Sequence, residues 1–157
     1  MAVGMNSLKR KAALRKILFE GDQRHNALMI GNYGDVRITA RGKFDLSGMI
    51  YLKNHTAEFV ILGDGVIRFH GCCKHLVVRI AKGSCTIDLR GMVSSAVRCM
   101  EVSGDSEVLI GRTSRIEQAN VKGSASIRYT GKPIILNYSI GGDGVLERCS
   151  DLLNNHL

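Results

Sequence analysis

The 157-residue sequence predicts an all-β fold, a single right-handed β-helix (solenoid) of about six rungs with a short N-terminal capping α-helix. Three observations predict it. A glycine-anchored unit returns at Gly63, Gly83, Gly104, Gly123 and Gly142, with gaps of 20, 21, 19 and 19 residues. Around each anchor apolar and polar residues alternate at the period of a β-strand. Small residues then recur at a second fixed offset, where a corner is needed. A unit this short is one coil of a solenoid rather than a domain.

The elements follow in chain order. Ser7 can N-cap a helix from Leu8 to about Phe19, and Gly21 can stop it. A solenoid exposes unpaired backbone at each end, so a terminal helix is expected to cover the first rung. An earlier copy of the unit begins at Gly34, 29 residues before Gly63, which implies an insertion or an extra partial turn. Four residues after each anchor come Ile38, Ile67, Ile87, Val108, Ile127 and Leu146. Two further on are Ala40, Phe69, Leu89, Ile110, Tyr129 and Arg148. These are the inward positions of one strand. A second strand precedes each anchor, with inward pairs Phe59/Ile61, Val78/Ile80, Met100/Val102, Ala119/Val121 and Tyr138/Ile140. Gly42, Gly71, Gly91, Gly111 and Gly131 close the strand after the anchor, and a connector completes the coil; Pro133, which would remove a ladder donor, sits beside such a corner. Rungs stacked at roughly 4.8 Å would make a rod on the order of 25–30 Å long. Stacking also sets Arg68 against Asp88 and Arg128 against Glu147, pairs worth ~0.2–1 kcal/mol each. The organisation expected is a basic N-terminal helix and cap over 1–29, the β-helix over 30–149 and a C-terminal tail over 150–157.

The stretches VKGSASIRYTGKPIILNYSIGGDGVLERC (121–149) and LGDGVIRFHG (62–71) combine Gly-Ser or Gly-Asp pairs, a short strand, a Tyr/Gly corner and a Gly-x-Pro connector. In these features the chain resembles the GIN-type autotransporter adhesin head domain. That resemblance covers about residues 30–149 and implies a β-helix in a secreted or surface-exposed protein. A weaker resemblance is to the bactofilin-type cytoskeletal β-helices, whose rungs are shorter and more regular.

Composition limits the classes of function. The formal net charge is +8, with 22 basic and 14 acidic residues. Lys9, Arg10, Lys11, Arg15 and Lys16 face Glu20 alone within the first 20 residues, so this segment is the expected contact for an anionic partner. No run of about 18 apolar residues, the length of a spanning helix, occurs. The apolar cluster Ala12–Phe19 is broken by Arg15 and Lys16, unlike a signal peptide. Five cysteines without framework spacing suit reduced thiols, so a cytoplasmic protein is expected, or a cell-surface one if a leader has been removed.

His70, Cys72, Cys73 and His75 have metal-ligand side chains, but on an extended chain they alternate between faces and match no zinc spacing. Asp35, Asp64, Ser84, Asp105, Ser124 and Asp143 follow the anchors. Asp turns that bond to their own backbone explain them better than a calcium column does. Asp45, Glu58, Asp88, Glu101, Glu107, Glu117 and Glu147 scatter over the rung instead of gathering in one groove, as a polysaccharide-active β-helix enzyme would require. The sequence therefore implies no catalytic residue, metal or cofactor. The expected function is a non-enzymatic structural or binding scaffold. It would act by self-association or protein docking, as an adhesin-like head or a bactofilin-like polymer, and no small-molecule substrate is implied. Leu152, Leu153 and Leu157 in the tail are the candidate self-association residues.

Overall fold

The structure, a computed structural model, describes residues 14–149 and is built entirely of parallel β-strands wound into a solenoid of about seven turns. The strands are β1 (Leu14–Ile30), β2 (Asp35–Lys82), β3 (Cys85–Val102), β4 (Glu107–Ile110), β5 (Thr113–Ile116), β6 (Ala119–Val121), β7 (Ser126–Tyr129), β8 (Ile134–Ile135), β9 (Tyr138–Ile140) and β10 (Val145–Arg148). In the first turns the ladder runs unbroken round the corners, which is why β2 alone is 48 residues long. Later turns divide at each corner into three short strands. β4, β5 and β6 form one such set, and β7, β8 and β9 stack on them in turn. The molecule thus has three walls: an upstream wall running into the glycine column, a downstream wall leaving it, and a third wall where the sequence suggested only a connector.

Ile67, Ile87, Val108 and Ile127 are buried and stand one above another, each the parallel partner of the next. Leu146 continues this column on Ile127. The upstream column Met100–Ala119–Tyr138 and its neighbour Val102–Val121–Ile140 pair as expected. Phe59 and Phe69 lie 5.9 Å apart in the interior, one from the upstream and one from the downstream wall, and fill the width of the coil.

Three expectations are corrected. Leu14–Phe19 is not helical: it is the start of β1, paired in parallel with Asp35–Ala40. Arg15, Ile17 and Phe19 are partly buried, whereas Leu14, Lys16, Leu18 and Glu20 are exposed, a period of two that no helix wheel accommodates. The rest of the expected helix, Leu8 to Ala13, lies outside the described residues. The solenoid accordingly includes residues 14–29.

The coil count rises from six to about seven because the glycine column begins at Gly21, not at Gly34. Gly21 pairs with Gly42, and a Cβ placed on Gly42 would stand 2.9 Å from the Gly21 carbonyl oxygen. Gly63 is stacked on Gly42 in the same way, Gly83 on Gly63, and the column continues through Gly104, Gly123 and Gly142. Its gaps are 21, 21, 20, 21, 19 and 19, with no insertion. Gly34 lies outside the column, and Ile38 and Ala40 belong to the upstream wall beside Ile17 and Phe19.

The third correction concerns the acidic residues beside the anchors. Asp64 does not close its own turn: its carboxylate accepts the backbone N–H of Ser84, one coil on, at 2.7 Å. Asp35 accepts from Thr56 at 2.9 Å in the same manner. These side chains tie coil to coil, as the ladder does, while the Asp turn proper occurs at Asp88, which accepts from the Arg90 N–H at 3.1 Å.

Candidate functional site

The wet faces of the walls carry charge ladders. On the upstream wall Glu58 bridges Arg37 at 2.9 Å and Arg79 at 3.3 Å, and Arg79 continues to Glu101. The sequence signal was available, since Arg37, Glu58, Arg79 and Glu101 follow one another at the coil period. Placing residues 35–40 on the downstream wall hid it. On that wall Arg128 bonds Glu147 at 2.9 Å and also Glu107. Arg68 stands 3.9 Å from Asp88, which is held more closely by Arg90 at 2.7 Å. Burial pushes the Asp88 carboxyl up, but the Arg90 side chain and backbone N–H, with Arg68 beyond, hold it below the usual carboxylate range. Six of the seven carboxylates considered as acid–base groups thus carry a guanidinium partner; Asp45 is the exception among the described residues. The bridges of Glu58, Glu101, Glu107 and Glu147 join coils, those of Asp88 with Arg90 and Glu117 with Arg115 lie within one coil, and carboxylates so paired are poorly placed to exchange protons with a substrate.

His70 is exposed, Cys72 and His75 are half-buried, and Cys73 is turned into the core. Among the described residues no three His, Cys, Asp or Glu side chains converge as metal ligands would. All five cysteines are free. Burial pushes the Cys73 thiol up to about 12, opposed by a backbone hydrogen bond at Ala57 and assisted by neighbouring Cys72. At pH 8 only about one part in ten thousand of Cys73 would be the reactive thiolate. Native protein treated with iodoacetamide at pH 8 should therefore keep Cys73 unmodified while half-exposed Cys72 reacts, and unfolded protein should label at all five. Equal native rates at Cys72 and Cys73 would contradict the inward placement. The sign for stability follows from the same shift. Folding favours the neutral thiol, so its contribution is complete below the ordinary value of 9.0 and is lost as pH rises toward 12.

Of the basic residues expected to meet an anionic partner, Lys9, Arg10 and Lys11 lie outside the described residues. Lys16 is exposed. Arg15 is not free for such a role, because it sits at an inward position of the first coil. Its guanidinium donates to the Gly31 carbonyl at 2.6 Å and lies 5.4 Å from the centre of the Tyr33 ring. The side chain is thus tied to the segment that follows β1.

Tyr138 and Ile140 occupy inward columns whose previous members, Ala119 and Val121, are fully buried, yet they are 64% and 45% exposed. Among the described residues β8, β9 and β10 each pair on one side only, so the last rung presents both apolar side chains and unpaired backbone. Leu152, Leu153 and Leu157 lie outside the described residues. A shallow groove of about 360 Å³ lies on the upstream wall, lined by Val60, Arg79, Glu101, Ser103, Asn120 and Lys122, and two of its charges, Arg79 and Glu101, already belong to the ladder.

No family model, curated protein or solved structure matches this chain.

Proposed function

We propose that the protein is a non-enzymatic structural or binding scaffold, a right-handed solenoid that acts through end-on self-association at its C-terminal rung. The observation that carries this reading is the exposure of Tyr138 and Ile140, core residues by column and surface residues by position. An open rung offers a ladder edge and an apolar floor together, and a second copy of the same rung satisfies both. Meeting of two C-terminal rungs gives a closed two-fold dimer. The pairing of the wet-face carboxylates with arginines supports a structural role over a hydrolytic one.

Sedimentation of the full chain tests the reading against Tyr138→Glu/Ile140→Asp and against a chain ending after Ser150. The expected result is a dimer for the full chain and a monomer for the double variant. A monomer in every case would overturn it. Within the scaffold class, a cytoplasmic bactofilin-like assembly and a GIN-type adhesin head differ in redox setting. Five free thiols support the former. Cell fractionation with thiol labelling decides between them: a surface-exposed, oxidised protein would favour the adhesin head.

A further inference from the structure

The third wall differs from the other two in its surface chemistry. Its segments (48–55, 71–77, 91–98, 111–118 and 131–137) contain Lys53, Lys74, Arg98, Arg112, Arg115 and Lys132, all exposed, and one acidic residue, Glu117. Among the described residues only Arg115 of these six has a carboxylate partner, at 2.8 Å. The upstream wall, by contrast, neutralises each arginine of its ladder with a glutamate. Here the alternation that pairs charges elsewhere is absent, and cations stand in successive coils with little between them to cancel their field. His75 at the edge of this wall feels that field: burial first, then Arg98 and Lys74, hold it below the ordinary histidine range.

The same face exposes large apolar side chains between the cations. Tyr51, Val93, Ile134 and Leu136 are each about half exposed or more. They lie in register with polar or charged neighbours, Val93 beside Cys72 and Ile134 beside Arg115. Their outward direction follows from the pleat, since Ser94, Thr113, Val97, Ile116 and Ile135 fill the inward columns of this wall. The result is a flat sheet face of stacked strands that is cationic, nearly free of acid and part apolar.

We propose that this wall docks on an anionic lipid membrane surface. Headgroup phosphates and carboxylates meet the lysines and arginines, while the aliphatic ends of Val93, Ile134 and Leu136 enter the boundary with the acyl chains. A nucleic acid would use the cations but gives exposed valine, isoleucine and leucine nothing to contact. Its single-stranded forms call for stacking aromatics, of which this wall has Tyr51 alone. This inference differs from end-on association: Tyr51, Lys53, Lys74, Val93 and Arg98 stand on earlier coils, and only the segment 131–137 belongs to the C-terminal rung.

Flotation of the full-length chain with phosphatidylcholine vesicles, with and without phosphatidylserine, tests it. Binding is expected only with phosphatidylserine and should weaken with salt. Each basic residue near such a surface contributes about fivefold, so Lys74→Glu/Arg112→Glu/Lys132→Glu should weaken binding by about a hundredfold or more. Ile134→Ser/Leu136→Ser should also weaken it at unchanged charge. The comparison variant Lys9→Glu/Arg10→Glu/Lys11→Glu carries the same net charge as the first and should retain most of the binding. Thermal melts monitor folding, and the single reversal Lys132→Glu, with at least about a fivefold loss, replaces the triple variant should that melt early. No binding to phosphatidylserine vesicles, or equal losses in the two triple variants, would overturn the proposal. So would undiminished vesicle binding by the serine variant alongside tighter capture of RNA, which would assign the face to nucleic acid.

Discussion

Gly83→Ala is expected to destabilise the protein by at least about 3 kcal/mol. Two effects combine there. The residue holds φ at +112°, a backbone conformation essentially reserved for glycine, where any side chain costs about 1–3 kcal/mol. In addition, a Cβ on Gly83 would stand 2.0 Å from the carbonyl oxygen of Gly63. That oxygen cannot step aside, since Gly63 is itself pressed on Gly42, so relief requires the coils to separate. Gly131→Ala provides the comparison: its φ is +71°, but nothing lies within 4 Å of an added Cβ, so only the strain of about 1 kcal/mol applies. Denaturant midpoints at constant slope would measure both. A Gly83 variant within about 1 kcal/mol of the Gly131 variant would show that the column does not set the coil contact.

Phe59→Ala should cost about 3–5 kcal/mol, the range for removing a buried phenylalanine. Phe59 is fully buried and packs on Phe69 across the coil, so its loss opens a void that both walls border. The Glu58 bridges to Arg37 and Arg79 hold the backbone on either side at ladder spacing and limit how far the coils can close on the gap. Because each coil contacts only its neighbours, hydrogen exchange should show protection lost first in the coils adjoining Phe59, before the C-terminal ones. Val93→Ala on the exposed third wall should stay within about 0.5 kcal/mol of the parent. Uniform loss of protection over residues 14–149 would instead mean that the solenoid unfolds as one cooperative block.

Much of the solenoid is legible in its residues. The columns Ile67–Ile87–Val108–Ile127 and Ala119–Tyr138 can be drawn from spacing alone, because a short repeat with alternating apolar residues has few ways to bury them. The pairing of Arg68 with Asp88 and of Arg128 with Glu147 follows from the same register. Two features misled. Between Gly34 and Gly63 the glycines lie close enough for several registers, and the choice of Gly34 displaced the first wall and with it the Arg37–Glu58–Arg79–Glu101 ladder. At Leu14–Phe19, basic residues interleaved with leucine, isoleucine and phenylalanine suit a helix by composition and a strand by alternation. The parallel edge at Asp35–Ala40 decides for the strand, since it pairs the alternate backbone N–H and C=O groups of a segment that lies beside it.

The candidate surfaces were less legible than the fold. Exposure of Tyr138 and Ile140 cannot be read from their columns, where Met100, Ala119, Val102 and Val121 are all buried; it shows only where β9, among the described residues, pairs on one side alone. The third wall's charge was likewise hidden, since Lys53, Lys74, Arg98, Arg112 and Lys132 look scattered along the chain until the turns bring them onto one face. The sequence by itself determined the period, the inward columns and the all-β class, because these depend on local alternation and on where only glycine fits. The tertiary structure alone decided where the column begins, how many walls a coil has, and which charges share a surface. Those depend on which coil edge each segment meets, and stacking energy between coils outweighs the local preferences of any one of them.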